Sequence, residues 1–361
     1  MSRYRVALTS FLALTFTLAS SGAAHAISPG EAAARALAWL RTQQNADGGF
    51  GSGFGPGSAV GPTADAVLAI TSGGQDASAW TKNGVSPIDY LRAQAGQIAT
   101  PGEIAKTILA LLAAGQDPHA FGGRNWISSL EGHFDATTGT YSTSMYDQAL
   151  AILALSNAGE AAPDAAVAAL LAARTVEGGW AFTGETFAGA ADSNTTSLAA
   201  QALIAAGRKD DTGRALDYFR RVQNPDAGWT YQVPSAFGTE TDANSTALAI
   251  QTILASGDSV FNWAIGGSDP LGALIALQNE DGSFSFNRTF AGPNVLATLQ
   301  AIPALYGQTL VRVKVVPASD ASAVGVLLPE AGGSIDALPI VSLGLTLIGA
   351  GVLARRRMRV R

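Results

Sequence analysis

The sequence predicts an all-α protein built as an α6/α6 toroid, a ring of six inner helices inside a ring of six outer helices. Three observations indicate this fold class. A short turn motif that ends in an aromatic residue recurs along most of the 361-residue chain. A helix pattern with one polar face precedes each turn, and a pattern that is apolar on every side follows it. The composition, with 47% hydrophobic and 14% charged residues, excludes a disordered chain.

The turn motif reads Gln-x3-Gly-x-aromatic in its two clearest copies, which end at Phe50 and Phe284. Looser copies end at Tyr141, Trp180 and Trp229. The gap from the first aromatic to the second is 91 residues, about two periods, so we expect an eroded sixth copy near 91–98. The residues assigned to the turn itself are Gln44, Gly48, Phe50, Gly178, Trp180, Gln223, Trp229, Gln278, Gly282 and Phe284.

Each turn separates two helices of different character. Before the turn, apolar residues recur three and four apart, as in Ala33, Ala36, Leu37 and Leu40, which is typical of a helix with one buried face. After it comes a helix that is apolar on all sides and therefore buried on all sides. These inner helices are predicted at 62–73, 102–115, 146–159, 194–207, 244–257 and 293–305, and several end in a C-capping Gly. An open solenoid is the alternative arrangement, but six units of this length close naturally into a toroid.

The turns and inner helices together resemble the prenyltransferase/squalene-cyclase repeat family, whose fold is terpenoid cyclase-like. The resemblance rests on the turn copies and on inner helices that read like Asp-Ala-Asn-Ser-Thr-Ala-Leu-Ala, which begins at Asp242. It covers about 29–307 and implies one toroid domain at 27–309. It also implies that the turn is structural, because in that family the Gln bonds around the aromatic residue and ties the outer helices together.

Both ends of the chain carry targeting patterns. Arg3 and Arg5 precede an apolar run and the small-residue sequence Ala24-His25-Ala26, which predicts a secretory signal peptide at 1–26. Near the other end, the apolar stretch 338–354 is followed by five arginines. A stretch of about 17 apolar residues is the lower limit for crossing a bilayer, and the trailing arginines should remain cytoplasmic.

A short motif before the apolar stretch makes the C-terminal segment 328–361 resemble a sortase cell-wall sorting signal of the LPxTG type. The motif residues are Leu328, Pro329, Ala331 and Gly332. Because Ala331 stands where that motif has Thr, a plain membrane anchor is the alternative. The segment 310–327 is expected to be a strand-like stub, 310–316, followed by a linker. The expected location is therefore the cell surface, with sortase and the cell wall, or the membrane, as partners.

Composition also limits the chemistry. The chain has no Cys, which excludes disulfides and thiolate metal sites, and its net charge of −6 disfavours nucleic acid as a partner. The resemblance implies an Asp, Cys and His zinc site in protein prenyltransferases and an Asp-x-Asp-Asp acid in class II terpene cyclases. The sequence has neither pattern, and its nearest acidic pair is Asp210-Asp211. We therefore expect no metal ion and no cofactor.

Carboxylates recur at or near the predicted N-terminal ends of the inner helices, so a toroid would gather them at one mouth. They are Asp65, Glu103, Asp147, Asp192 and Asp242. Helix capping explains Asp192 and Asp242, whereas Glu103 and Asp147 are weak candidates for catalytic carboxylates. Aromatic residues of the loops that lead to the same mouth are Phe54, Phe182, Tyr231 and Phe286. Carboxylates with aromatic residues suit a sugar or a flat, partly apolar ligand, although these aromatics could also cover the core.

The sequence thus predicts an exported, envelope-anchored toroid that binds a small molecule or a glycan at its mouth without catalysis. A hydrolase or lyase acting on carbohydrate through the mouth carboxylates is the first alternative. Terpenoid cyclase-like or prenyltransferase-like chemistry is the second. The third is binding of cobalamin, as in cobalamin carriers whose barrel domain has this toroid, although the small β-domain of those carriers is missing or reduced here.

Overall fold

The computed structural model describes residues 27–53, 55–235 and 238–319, and within them the protein is all-α, as predicted. Short 3-10 helices and isolated β-bridges are the other regular features of these residues. The α-helices are α1 (Pro29–Thr42), α2 (Val60–Ser72), α3 (Pro87–Ala93), α4 (Pro101–Ala113), α5 (Trp126–Glu131), α6 (Met145–Ala158), α7 (Asp164–Ala172), α8 (Ser193–Ala205), α9 (Gly213–Val222), α10 (Ala243–Ala255), α11 (Pro270–Ile275) and α12 (Val295–Leu305).

The even-numbered helices form a closed inner ring. Each packs against the next, from α2 to α12, and α12 packs against α2. The odd-numbered helices lie outside, and α1 contacts both α11 and α12, so the outer ring closes as well. Burial follows this division: α8 buries ten of its 13 residues, whereas α9 buries three of ten. These contacts are those that an α6/α6 toroid requires.

The inner helices begin at one end of the ring, which we call the mouth. Five of them have a polar N-cap whose side chain accepts a hydrogen bond from a backbone N–H of the first turn. These caps are Thr100, Ser144, Asp192, Asp242 and Asn294. The exception is α2, whose cap is Ala59. The side chains that line the mouth can therefore be compared by their distance in sequence from the cap.

The glutamines of the turns bind two carbonyls each and thereby join neighbouring outer helices. Gln44 Nε2 donates to the carbonyls of Gly48 and Trp80, both at 2.9 Å. Gln223 makes the corresponding pair of bonds in its own turn. Gln278 donates to the carbonyl of Gly282 within its turn and, at 2.8 Å, to the carbonyl of Ala32 in α1. The last turn thus joins the end of the domain to its first helix.

A glycine in the same turns lets the backbone approach the next outer helix closely. Gly282 has a φ of +92°, and a Cβ there would lie 2.5 Å from the carbonyl oxygen of Arg35 in α1. Gly48 has a φ of +83° and would meet Ser86, the N-cap of α3, at 2.5 Å. A larger residue would be strained at either position and would also push the outer helices apart.

A threonine four residues after the cap fixes the turn to its inner helix. Its hydroxyl accepts a hydrogen bond from the N–H of the turn aromatic, as in Thr196 to Trp180 and Thr246 to Trp229. The corresponding position in α4 is Ile104, and the turn before that helix lacks an aromatic residue. There Arg124 binds the turn instead, because its guanidinium donates hydrogen bonds to the carbonyls of Ala95 and Ile98. This is the eroded sixth copy.

After α12 the chain crosses the end of the ring opposite the mouth. Its residues 310–317 contact the C-terminal ends of α8, α6, α4 and α2. The alternation at 310–316 predicts a strand, but these residues form no strand, since side chains and carbonyls of the inner helices take up their backbone groups. We call this end of the ring, with residues 310–317 across it, the sealed end.

No helix within the described part of the chain is long and apolar enough to cross a membrane. The predicted signal peptide, sorting motif and membrane segment lie outside the described residues, as does Phe54.

Candidate functional site

A narrow cavity runs through the inner ring, and we call it the lumen. Six equivalent positions, each six residues after the cap of its helix, face it from all sides. They are Asp65, Lys106, Leu150, Leu198, Leu248 and Gln300. At this level one side of the lumen is therefore charged or polar and the other is a wall of leucines, and Leu68, Leu109 and Leu299 add apolar surface on the polar-side helices.

A salt bridge between Asp65 and Lys106 forms the polar side. Lys106 Nζ lies 2.7 Å from Asp65 Oδ2, and the two side chains are only 19% and 14% exposed, respectively. Burial, the largest single influence, lowers the pKa of Lys106, but Asp65, Tyr146 and Asp147 together outweigh it, and the net shift is upward. Tyr146 lies beside the pair, and burial raises the pKa of its hydroxyl. The lumen therefore presents a fixed ion pair and a neutral phenol.

The lumen is small for the ligands that such a fold could enclose. Its volume is about 60 Å³, enough for a few water molecules, whereas an apolar cavity of about 150 Å³ holds a benzene ring. A ligand larger than a few water molecules, a slender alkyl chain included, would therefore have to displace residues 310–317 or the mouth loops to occupy the lumen.

Two glutamines at equivalent positions of adjacent inner helices have different environments. Gln201 in α8 accepts a hydrogen bond from the Leu310 N–H at 2.8 Å. Gln251 in α10 is 3% exposed and lines the lumen, and its Oε1 has no hydrogen-bond partner among the described residues. A buried carbonyl without a donor costs about 1–3 kcal/mol. Gln251 is therefore a natural acceptor for a hydroxyl group inside the lumen.

Side-chain amides close the lumen at the sealed end. Asn157 Nδ2 donates to the Leu310 carbonyl at 2.8 Å, and its Oδ1 accepts from the Val313 N–H at 2.9 Å. Val316 continues across the ring, because its N–H donates to the Ala113 carbonyl at 2.7 Å. Leu310 and Val313 face the lumen. A ligand of the lumen in this structure must therefore enter from the mouth.

The expected cap carboxylates are caps in the structure. Asp192 and Asp242 accept from the N–H groups of Thr195 and Ser245 through their Oδ1 atoms. Each is 2% exposed, and burial raises the pKa of each to about 6. Asp242 Oδ2 also accepts from the Ser245 hydroxyl, whereas Asp192 Oδ2 has no hydrogen-bond partner among the described residues.

The two weak catalytic candidates lie at the mouth but do not line the lumen. Glu103 and Asp147 each follow their cap by three residues, and Glu103 accepts a hydrogen bond from the Thr100 hydroxyl. Asp147 packs over Gly102, where any side chain would collide with its carboxylate. Burial raises the pKa of Asp147, and the Glu103 charge adds to this shift. Both side chains therefore have local structural partners.

The predicted aromatic residues lie in two places at the mouth. Phe182 is 47% exposed, and its ring centre lies 6.2 Å from that of Tyr146. Tyr231 and Phe286 line a separate depression of about 310 Å³ beside the lumen, which we call the mouth groove. Its other lining residues are Asn194, Asp242, Asn244, Ser245, Asn294, Leu296 and Gln300.

Several of these residues carry only weak signals in the sequence. Gln201 and Gln251 lie in nearly identical helices, so only the structure separates the bonded amide from the free one. Asn194 and Asn244 are 50 residues apart, each two residues after a capping Asp, and that repetition could have singled them out. Lys106 is conspicuous as a lysine near the start of an inner helix, but its partner is 41 residues away.

Comparisons with known proteins bear on the fold. No protein-family model matches the chain, and no curated protein matches it either. Solved structures of the type II terpene cyclase MstE from Scytonema do match. A variant in complex with geranylgeranyl dihydroxybenzoate, its substrate, has a TM-score of 0.59 at 13% identity, and the match covers 77% of this chain and 97% of that one. The apo enzyme has a TM-score of 0.56 at 14% identity, with the same coverage.

At this level of identity the likeness is one of fold. The chain therefore has a terpenoid cyclase-like fold, in agreement with the repeat resemblance. The acidic pair considered as a cyclase acid, Asp210-Asp211, lies in a short 3-10 helix between α8 and α9, and Asp211 forms a salt bridge with Arg208 at 2.6 Å. This pair follows the C-terminal end of an inner helix, so it lies away from the mouth.

Proposed function

We propose that this protein binds a slender, largely apolar molecule that carries a hydroxyl group, and that it holds this ligand in the lumen. The observation that carries the proposal is the lumen itself, with leucines on one side and a polar side chain, Gln251, whose buried carbonyl oxygen lacks a donor. A leucine wall favours hydrocarbon, and the free carbonyl favours one hydrogen-bond donor. An isoprenoid or straight-chain alcohol has both properties.

The polar groups of the lumen support binding without proton transfer. Asp65, the carboxylate that lines the lumen, is engaged in the salt bridge with Lys106. A carboxylate in a salt bridge is held in place by its partner and presents its remaining lone pairs as hydrogen-bond acceptors. The raised pKa of Lys106 likewise keeps its ammonium group charged. Ligand binding at the polar side therefore involves a fixed dipole rather than an acid.

The experiment is a calorimetric titration of the full-length chain with farnesol and 1-dodecanol. We expect binding of both alcohols, and we expect Leu198→Phe and Leu248→Phe to abolish it because the added rings fill the lumen. The matched control is Val176→Phe, which places the same ring at a position that is 67% exposed and outside the lumen. The proposal is wrong if neither alcohol binds, or if the lumen variants bind as well as the control.

Terpene cyclase chemistry is the second candidate, and the fold likeness to MstE favours it over a purely binding role. The described carboxyl groups best suited to act as acids are Asp192 and Asp242, whose pKa values of about 6 leave a protonated fraction at mildly acidic pH. Incubation with geranylgeranyl-bearing aromatic acids, followed by mass spectrometry, would detect a cyclised product. A product that disappears in Asp192→Asn or Asp242→Asn would replace the binding proposal with this one.

Export and anchoring are further parts of the proposal. They rest on the charge and hydropathy patterns of 1–26 and 328–361. Fractionation of the native host would place the protein in the cell wall if sortase acts on Ala331-Gly332, and in the membrane if the apolar stretch is retained. Recovery in the cytoplasmic fraction alone would contradict both.

A further inference from the structure

The mouth groove has a different chemistry from the lumen. Four of its nine lining side chains are amides, namely Asn194, Asn244, Asn294 and Gln300. Its volume of about 310 Å³ is several times that of the lumen. Gln300 lines both cavities, so the groove adjoins the lumen at one wall. A space of this size and polarity admits one or two sugar rings.

The groove has one charged side chain among its described lining residues, Asp242, whose two oxygens already have hydrogen-bond partners. Neither Lys nor Arg is among its lining residues. Asp242 is its carboxylate, and both oxygens of that group are bonded to Ser245, one to the N–H at 2.7 Å and one to the hydroxyl at 2.8 Å. An anion would have no positive side chain to pair with in the groove. A cation would meet a carboxylate whose two oxygens already accept hydrogen bonds from Ser245. The lining thus suits an uncharged polar ligand.

The amides have free hydrogen-bonding capacity. Each can donate twice through its nitrogen and accept through its oxygen. Asn244 Nδ2 donates to Gln300 Oε1 at 2.9 Å. Asn194 Oδ1 is buried and has no hydrogen-bond partner among the described residues. Since buried polar atoms are normally paired, Asn194 presents an acceptor that a ligand hydroxyl can satisfy.

Aromatic rings supply the apolar part of the groove. Tyr231 and Phe286 come from the loops that precede α10 and α12. Phe290, which is 62% exposed, extends this surface, with its ring centre 6.4 Å from that of Phe286. Burial raises the pKa of Tyr231 to about 12, so its hydroxyl remains a donor at neutral pH. Amides together with ring faces match the two surfaces of a sugar, its hydroxyl edge and its C–H face.

We infer that the mouth groove is a binding site for an uncharged, hydroxyl-rich ligand of the sugar class, held by Asn194, Asn244 and the Tyr231 and Phe286 rings. This site is separate from the lumen site and does not depend on it. The sugar could be free in solution or carried on a lipid, in which case its alkyl chain would enter the adjoining lumen past Gln300.

The experiment is titration of the full-length chain with methyl β-glucoside, cellobiose, maltose and chitobiose, followed by saturation-transfer NMR. We expect at least one of these sugars to bind. Asn194→Ala and Asn244→Ala should each weaken that binding about tenfold, because each removes a hydrogen-bonding amide. Phe286→Ala should weaken it by a similar factor through loss of the ring face.

The matched control is Asn262→Ala. Asn262 is exposed on the outside of the ring and makes one side-chain hydrogen bond, to Asp258, as Asn244 does to Gln300. Circular dichroism melting of each variant separates loss of binding from loss of fold. The inference would be overturned if none of the four sugars bound detectably. It would also be overturned if Asn194→Ala and Asn244→Ala bound sugar as well as the control variant.

A second arm distinguishes the two sources of the sugar. Methyl and octyl β-glucoside are compared, both below the micelle concentration. Equal affinity indicates a free sugar, whereas tighter binding of the octyl compound, lost in Leu248→Phe, indicates a lipid-borne one. In the latter case the methyl glucoside should bind Leu248→Phe normally. Failure of the alcohols with success of methyl glucoside would reject the lumen proposal and leave the groove site standing.

Discussion

Amide side chains on two sides of the lumen are used in opposite ways. On one side, the amides of Asn157 in α6 and Gln201 in α8 are bonded to the backbone of Leu310 and Val313. Gln251, at the same level in α10, and Asn194, at the mouth, each keep a buried oxygen without a described partner. The bonded amides hold the domain closed, whereas the unbonded ones lower its stability. Among these four amides, unused hydrogen-bonding capacity therefore distinguishes the ones that can meet a ligand from the ones that hold the domain closed.

The largest expected effect is at the sealed end. Asn157→Ala removes three side-chain hydrogen bonds, one of them within α6, and takes away the Asn157 partner of the Leu310 carbonyl and of the Val313 N–H. We expect the free energy of unfolding in urea to fall by about 3 kcal/mol. Asn262→Ala, on the outer surface, should change it by less than about 0.5 kcal/mol. A loss no larger than this control would mean that residues 310–317 do not seal the lumen.

The buried cap carboxylates should make stability depend on pH. Asp242 has a raised pKa of about 6 in the folded state, against an ordinary value of 3.8. Its contribution is therefore fully present below about pH 4 and is lost as the pH rises through 6, by on the order of 2–3 kcal/mol. Asp242→Asn keeps a good cap and should remove about half of the pH dependence of the melting temperature between pH 4 and 6, because Asp192 has the same raised pKa of about 6. An unchanged pH profile in this variant would contradict the burial argument.

The salt bridge gives a third test on the mouth side. Lys106→Leu leaves the Asp65 carboxylate partly buried without its partner and should cost about 2 kcal/mol. The double variant Asp65→Leu with Lys106→Leu should recover most of this loss, since no unpaired charge remains. Urea unfolding of the single and double variants measures the coupling. Additive losses would show that the two groups do not interact.

The smallest effect, and the sharpest contrast, comes from the two equivalent glutamines. Gln201→Leu leaves the Leu310 N–H unpaired and should destabilise the protein by about 1 kcal/mol. Gln251→Leu removes an unpaired carbonyl and should leave stability unchanged or raise it slightly. Thermal melts of the two variants check this difference in sign. Equal losses would remove the distinction between the two glutamines.

Much of the fold could be predicted from the sequence because it is repeated six times. The predicted inner helix 194–207 corresponds to Ser193–Ala205, and 62–73 to Val60–Ser72. The turn motif and the apolar helices repeat together, so an eroded copy could be inferred from spacing alone. The prediction of a strand at 310–316 was wrong. Alternating apolar residues do not say whether the backbone N–H and C=O groups will bond to a neighbouring strand or, as here, to the ends of the inner helices.

The site could be predicted less completely. The carboxylates near the caps were found, but Asp65 differs from Asp192 in facing the lumen, and this depends on a distance of six residues from the helix start. The difference in hydrogen bonding between Gln251 and Gln201 depends on where residues 310–317 cross the ring. The mouth groove depends on which loop aromatics meet which amides. These are three-dimensional properties that one repeat unit does not encode.

The most direct measurement is the side-chain amide spectrum of the protein labelled with 15N-glutamine, recorded during titration with farnesol. The signals of Gln251 and Gln201 are assigned from their Leu variants. Our account predicts that the Gln251 amide shifts as the ligand hydroxyl reaches its carbonyl, while the Gln201 amide, bonded to Leu310, stays in place. A titration in which Gln251 does not move, or in which Gln201 moves instead, would contradict a ligand site in the lumen.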